Sequence, residues 1–350
     1  VIRQVVVVSG GASSEHDVSV ASGRDVSAAL AATGRHSVID VHVDRAGAWH
    51  IGSLAAPAQP FADVLDEVSP GTVVFPVLHG GWGEGGGMQR ELEERDIHFV
   101  GSGAVASARA LSKRETLRLC AAAGVQIIPT WCVDRARYVA DPDLVAGAIR
   151  RTFGGDLVVK PDTGGSSIGV HVVPGHTPVR AALADAFADA PLALVQPLVD
   201  GDEVSVGVWT DAEGAVRASG ASLLHLPRDA DGGGFTYAHK YEGAGAVLEI
   251  PAAFPESTLD ALRSAALRCF TALGCRGLAR IDFFVDRSGR ILLNEINTIP
   301  GLRRESHFPR LVAAAGTPYP RLLEALVDDA MRRPRPRRRD VLPRIGAASR

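Results

Sequence analysis

The strongest constraint on this chain is a pattern met twice, a short apolar run that stops abruptly at glycines. Residues 2–9 carry the run Val5-Val6-Val7-Val8 and stop at Ser9-Gly10-Gly11, and residues 72–78 stop at His79-Gly80-Gly81. Runs of this length, rich in β-branched residues and bounded by glycine, predict buried strands. Residues 18–30 have helical spacing, and residues 38–43 form another strand-like run. Strands alternating with helices predict a parallel sheet with right-handed crossovers, with ligands met just beyond the carboxyl ends of the strands. Glu15 and His79 stand just after such ends.

The second half of the chain has a different rhythm. Residues 157–160 predict a strand, Pro161-Asp162-Thr163-Gly164-Gly165-Ser166-Ser167 a loop, and residues 168–173 another strand. A Walker loop runs strand, loop, helix, with its lysine after the glycines, whereas Lys160 precedes them. No G-x-G-x-x-G opens a helix after a strand, which argues against a dinucleotide site. Residues 204–209, 216–224, 279–285 and 291–296 predict a mixed sheet. Residues 104–123, 257–273 and 319–332 predict helices, and residues 231–241 a mobile Gly-rich loop. The fold class is therefore α/β, turning to α+β in the C-terminal half, with no internal repeat.

Residues 279–285 and 291–296 flank Asp286-Arg287-Ser288-Gly289-Arg290. If Ser288-Gly289 is a two-residue hairpin loop, Asp282 lies opposite Glu295 and Arg280 opposite Asn297, all four on one face. Opposed Cβ atoms stand about 4.5–5.5 Å apart, so two carboxylates there repel unless a cation joins them. Asp, Glu and Asn oxygens suit Mg²⁺, which also accepts phosphate oxygens. The alternative is a solvated polar face on which Arg280 neutralises one acid.

Charge and composition narrow the partners. The formal net charge is −3 and the C-terminal stretch 332–350 holds eight arginines against one acid, so the rest of the chain is acidic. A phosphate must then be met by local cations, and a generally basic nucleic-acid binder is excluded. No apolar run reaches the length of a membrane span or a signal peptide, and Cys120, Cys132, Cys269 and Cys275 lack metal spacing, so a reduced cytoplasmic setting is expected. Only three of the 37 basic residues are lysines, Lys113, Lys160 and Lys240. In a chain that otherwise uses arginine, such lysines mark places where a compact ammonium cannot be exchanged for a planar fork. With Gly164 and Gly165, whose backbone can approach an anion closely, they suggest a polyphosphate cradle.

Taken in order, these residues resemble the D-alanine–D-alanine ligases of the ATP-grasp superfamily. The matching strings are Ser9-Gly10-Gly11 with Ser13, Glu15, Val18 and Ser19, then His79-Gly80-x-x-Gly83-Glu84 with Gln89, Gly101-Ser102-Gly103 and Lys113. They continue through Lys160-Pro161, Gly165-Ser166-Ser167-Ile168-Gly169, Gly201-x-Glu203, Tyr237 and Lys240-Tyr241. Arg280-Ile281-Asp282, Asn294-Glu295-Ile296-Asn297-Thr298 and Pro300-Gly301 complete the set.

The resemblance implies an N-terminal αβα substrate domain of the pre-ATP-grasp type (residues 1–101) and two ATP-grasp subdomains (residues 102–195 and 196–331). An Arg/Pro-rich disordered tail (residues 332–350) follows. It implies ATP held by Lys113, Lys160, Ser167, Gln196, Glu203 and Lys240, and two Mg²⁺, with Mn²⁺ as the alternative metal, on Asp282, Glu295 and Asn297. D-alanine would be activated as an acyl phosphate and joined to a second D-alanine. Glu15 would hold the first ammonium with His79 nearby, Ser166 and Tyr241 would join Glu15 under the lid, and Ser306 would hold the second carboxylate. Arg280 and the Gly301 N–H would stabilise the oxyanion. The expected product serves peptidoglycan synthesis, and a homodimer is implied. Gln196-Pro197 at the adenine hinge, Gly85, Ala238 and Arg303-Arg304-Glu305 depart from the family's usual residues. They leave open a ligase with another second substrate, such as D-serine, a different carboxylate–amine ligase, or a non-catalytic nucleotide-binding module.

Overall fold

The first glycine-ended strand, β1 (Arg3–Gly10), lies at the centre of a five-stranded sheet. With β2 (His36–Val43), β3 (Trp49–Ile51), β4 (Val73–Pro76) and β5 (His98–Phe99), the order is β3-β2-β1-β4-β5. All pairings are parallel except that of the edge strand β3, which runs antiparallel to β2. Val5 and Val7 face one core and Val6 and Val8 the other, which explains why this strand reads as an unbroken apolar run. The computed structural model describes residues 2–66, 68, 71–165, 167–188, 190–225 and 247–332.

A second sheet, wholly antiparallel, is made of β6 (Trp131–Asp134), β7 (Leu157–Pro161), β8 (His171–Val173) and β9 (Leu192–Pro197) in the order β6-β9-β7-β8. The helices Pro142–Thr152 and Arg180–Ala186 supply its core. A third sheet contains β10 (Gly201–Thr210), β11 (Val216–His225), β12 (Val247–Glu249), β13 (Leu278–Asp286) and β14 (Ile291–Asn297) in the order β12-β11-β10-β13-β14. All its pairings are antiparallel, so the mixed sheet expected of these residues is corrected: each strand is joined to its sheet neighbour without a parallel crossover. Its inner face packs on the helices Glu256–Leu273 and Lys113–Ala122.

The helix Tyr319–Arg332 returns to the first sheet. Its Leu322, Leu323, Leu326 and Val327 share one core with Val5, Val7, Val73 and Phe75, and with Trp209 and Leu278 of the third sheet. Each fully buried Leu or Phe contributes about 1.5–3 kcal/mol, so this shared core holds the first and third sheets in one fixed relation. The space between the carboxyl ends of β1 and β4 and the polar face of β13–β14 is thus a cleft with firm walls.

Three further expectations need correction. Residues 104–123 are two helices, Ala104–Leu111 and Lys113–Ala122. Ser112 breaks them with ψ 109° and caps the second, its hydroxyl accepting from the Glu115 N–H. The strand expected from residue 168 is shorter, because Ser167 and Gly169 have φ of 60° and 68° and the chain joins the sheet only at His171. The hairpin turn has three residues, not two. The Asp286 N–H donates to the Arg290 carbonyl across Arg287-Ser288-Gly289, with Gly289 left-handed at φ 80°. That shifts the pairing by one, and a bulge at Asn294 shifts it back, so Asp282 does face Glu295 and Arg280 faces Asn297. Two unforeseen irregularities cancel, and the expected opposition survives.

Candidate active site

On the polar face of the hairpin, Asp282 is 1% exposed and fully engaged. Arg280, two residues earlier and therefore on the same face, donates to it from Nε (2.9 Å) and Nη2 (2.8 Å). The Ser205 hydroxyl donates at 2.7 Å and the Asn297 amide at 3.2 Å. Ser205 reaches it because β10 pairs with β13 in the register Ser205↔Asp282. The two readings of the hairpin are therefore both present, with the carboxylates opposed and Arg280 neutralising one of them. Among the described residues no three His, Cys, Asp or Glu side chains gather as metal ligands. The hairpin offers instead two carboxylates and an amide, a sparse set of hard oxygens that fits Mg²⁺, since this ion keeps water and phosphate oxygens in its shell.

Two cavities adjoin this face. One, of about 360 Å³, is lined by Glu15, His79, Arg280, Asp282, Glu295 and Asn297, and also by Gly301 and Ser306. A Cβ on Gly301 would stand 3.3 Å from the Ser306 hydroxyl, so the glycine lets that hydroxyl approach the chain. The other cavity, of about 540 Å³, is lined by Lys160, Ser167, Gln196, Asn294 and the apolar side chains Val158, Ile168 and Phe284. Lys113, Gly164, Gly165, Glu203 and Glu295 line both cavities, so the two meet at a common wall of one ammonium, a glycine loop and two carboxylates.

The lysines are held by long-range contacts. Lys113, first residue of its helix, is buried and donates to the Gly164 carbonyl at 2.6 Å. Asp162 fixes that helix start, accepting from the Ser112 hydroxyl and the Arg114 N–H, both at 2.8 Å. Lys160 is buried and donates to Asn294 Oδ1 at 2.9 Å. Gln196 donates its amide N–H to Thr130, whose own hydroxyl proton goes to the Ile128 carbonyl. That chain of donors fixes which way the Gln196 amide is turned.

The N-terminal side supplies Glu15, His79 and Glu84. Glu15 sits at the start of the helix His16–Ala32, yet its side chain makes no capping bond and lines the first cavity. His79 is buried, and its Nδ1–H donates to the Ile299 carbonyl at 3.0 Å. Burial lowers its pKa and Arg280 adds to this, while Glu15 and the Ile299 carbonyl oppose. The ring is therefore neutral, and Nε2, buried with no partner among the described residues, is a bare acceptor. Glu84 is pushed up to about 7, first by burial and then by the charges of Glu15 and Glu295, against the Gly80 and Ile299 N–H groups turned toward it.

Every candidate site residue that the structure describes lines one of the two cavities or their common wall. Ser166, Lys240 and Tyr241, and the loop expected at 231–241, lie outside the described residues. Sequence reasoning gave no role to Ser205, Asn294, Asp162 or Glu84. Glu84 stood inside a recognised string, whereas Ser205 and Asp162 carry no local signal.

Two family signatures match the chain. "D-ala D-ala ligase N-terminus" covers residues 4–102 and "D-ala D-ala ligase C-terminus" residues 119–328. The chain belongs to the D-alanine–D-alanine ligase family. It is 34% identical to the D-alanine–D-alanine ligase of Chlorobium limicola, over 94% of this chain and 97% of that protein. It is 37% identical to D-alanine–D-alanine ligase A of Bradyrhizobium diazoefficiens, over 95% of this chain and 96% of that protein. Among solved structures, D-alanyl-alanine synthetase A from Vibrio cholerae superposes with a TM-score of 0.81 at 26% identity, covering 94% of this chain and 98% of that one. The α/β architecture, one largely parallel sheet followed by two antiparallel ones, is thus the ATP-grasp arrangement of this family.

Proposed function

We propose that this chain joins two molecules of D-alanine with the cleavage of ATP, by way of D-alanyl phosphate. The observation that carries the reading is the common wall of the two cavities. A purine in the apolar cavity directs its phosphates to Lys160, Lys113 and the Gly164-Gly165 loop, and the end of the triphosphate then borders the acidic cavity. Gln196, its amide nitrogen turned to Thr130, presents its oxygen to the purine amino group, and Glu203 and Ser167 meet the ribose and phosphates.

In the acidic cavity Glu15 holds the ammonium of the first D-alanine beside the neutral His79. The carboxylate oxygen of this D-alanine forms a bond to the γ-phosphorus as the bond to ADP breaks. The amine of the second D-alanine, held through its carboxylate by Ser306, then attacks the acyl carbon. Arg280 and the Gly301 N–H stabilise the resulting oxyanion, and the carbon–oxygen bond to phosphate breaks as the nitrogen gives up a proton, which leaves with the phosphate. Asp282, Glu295 and Asn297 would hold two Mg²⁺, which when bound offset the charge on the phosphoryl oxygens. Lys240, Ser166 and Tyr241 are assigned to the phosphates and the closed lid by family resemblance alone.

No helix among the described residues is long and apolar enough to cross a membrane. The reading places the enzyme in the cytoplasm, as a homodimer, in the synthesis of peptidoglycan precursors. The test is ADP release with D-alanine, D-serine, D-lactate and other D-amino acids as acceptors, with the product weighed by mass spectrometry. D-alanyl-D-alanine as the main product supports the reading. No D-alanine-dependent ADP, or faster turnover with another acceptor, overturns it.

A further inference from the structure

The string His79-Gly80-x-x-Gly83-Glu84 contains more structure than its presumed ligand contacts require. Gly80 has φ 68°, a conformation in which a side chain is strained. A Cβ on Gly83 would lie 2.4 Å from the Leu78 Cβ, so the short helix Gly81–Glu84 packs on Leu78, two residues beyond β4, only because that atom is missing. The buried Gln89 amide donates to the Gly83 carbonyl at 2.8 Å. Glu84 closes the loop on itself, its Oε2 accepting from the Gly80 N–H at 2.9 Å. A loop tied at so many points holds its neighbours in one place.

What it holds is His79, and through His79 a segment 220 residues away. The His79 Nδ1–H meets the Ile299 carbonyl, while the Ile299 N–H faces the Glu84 carboxylate. The carbonyl of this residue is therefore held by a hydrogen bond from the N-terminal side, and its N–H lies within the electrostatic reach of Glu84. Ile299 precedes Pro300, which restricts it to extended backbone, and the proline ring fixes its own φ, so with the Ile299 carbonyl held only the Pro300 ψ is left to move the Gly301 N–H. Gly301 is the residue whose N–H is assigned to the oxyanion.

We propose that Glu84 is a positioning residue for the ligation: by holding Gly80 it aims His79 at the Ile299 peptide and sets where the Gly301 N–H stands. Glu84 thus acts through others, and no contact of its own with the reacting atoms is needed. The inference rests on the ligase reading for its kinetic consequence and on geometry alone for its structural one.

The experiment compares the full chain with Glu84→Ala and Glu84→Gln by ADP-release kinetics and thermal unfolding, and by hydrogen exchange of the peptide spanning residues 296–302. Misplacement of a catalytic group by about 1 Å costs roughly 100-fold, so Glu84→Ala is expected to lower kcat by about that factor. KM for ATP should stay within about twofold, because the purine cavity is untouched. Exchange at 296–302 should quicken. Glu84→Gln keeps an oxygen for the Gly80 N–H and should recover kcat to within about tenfold of wild type. Wild-type kcat in Glu84→Ala, a loss confined to KM for ATP, or unchanged exchange at 296–302 overturns the proposal. If Glu84→Ala does not fold, Glu84→Met, which keeps the bulk and removes the acceptor oxygens, decides in its place: wild-type kcat and exchange overturn the proposal, and a large loss of kcat with faster exchange at 296–302 supports it. A wild-type chain that forms no ADP with D-alanine defeats the ligase reading, while the exchange result still judges the positioning role.

Discussion

The two cavities share a wall but are built on opposite principles. In the larger one, polar side chains are paired with protein partners, Gln196 with Thr130 and Lys160 with Asn294, between apolar surfaces from the second and third sheets. In the smaller one, carboxylates crowd together. Asp282 needs Arg280, Ser205 and Asn297 around it, Glu84 is pushed up to about 7, and the Nε2 of His79 is buried without a partner among the described residues. A satisfied apolar pocket binds by shape and area, and its losses on mutation are graded. A pocket of unbalanced charge suits a reaction in which charge moves, and its losses are steep.

The largest contrast should come from Glu295→Gln. Removing one anionic oxygen from the hairpin should cut turnover about 10³-fold or more, equal to several kcal/mol of charge stabilisation, with the fold kept. Undiminished ligation would falsify the metal assignment. Next, Arg280→Met should lower kcat about 10²–10³-fold through the lost oxyanion donor. It should also lower unfolding stability by about 3–5 kcal/mol in urea titrations, because Asp282 is left as an uncompensated buried charge. Adding Asp282→Asn to that variant should restore much of the stability and none of the activity. If the double variant stays as unstable as the single one, the Arg280–Asp282 pair is not what was lost.

On the nucleotide side the effects shrink. Lys160→Met removes a charge-assisted contact of about 1.5–3 kcal/mol, so KM for ATP should rise about 10–100-fold, with KM for D-alanine little changed. Equal changes in both constants would blur the separation of the cavities. Val158→Ala, on the apolar wall, should raise KM for ATP only about fivefold, for roughly 1 kcal/mol of lost burial. The last effect leaves catalysis aside and is a slope. Glu84 has a folded pKa raised to about 7 from an ordinary 4.5, so between those values the folded chain keeps a proton that the unfolded chain has lost. Its contribution to stability is thus complete below about pH 4.5, declines as pH rises toward 7, and is flat above. The stability of Glu84→Gln relative to wild type should therefore rise between pH 5 and 7. A constant difference across that range would show that Glu84 titrates normally.

Much of the fold was legible because period and punctuation are local. Alternation placed Arg280, Asp282, Glu295 and Asn297 on one face, and the glycine stops marked the ends of β1 and β4. The helix break at Ser112 was not legible. The stretch 104–123 has a helical pattern throughout, and the break is made by Asp162, fifty residues away, which draws Ser112 and the next N–H groups to itself. The hairpin register was right for an incomplete reason. The turn holds one residue more than expected, and the compensating bulge at Asn294 has no sequence mark, since it puts Asn294 beside Lys160 of a different sheet.

From the order of residues alone one could know the chemical inventory: three lysines, a pair of carboxylates, an arginine, and glycines where the backbone must come close. Folding chose the partners. Ser205 meets Asp282, Lys160 meets Asn294, and His79 meets the Ile299 carbonyl across separations of 77, 134 and 220 residues. Periodicity reports only which side of its own strand or helix a residue occupies. Which strand lies alongside, and which loop end faces which, depends on how three sheets bury their apolar faces against shared helices, and that is a property of the packed whole.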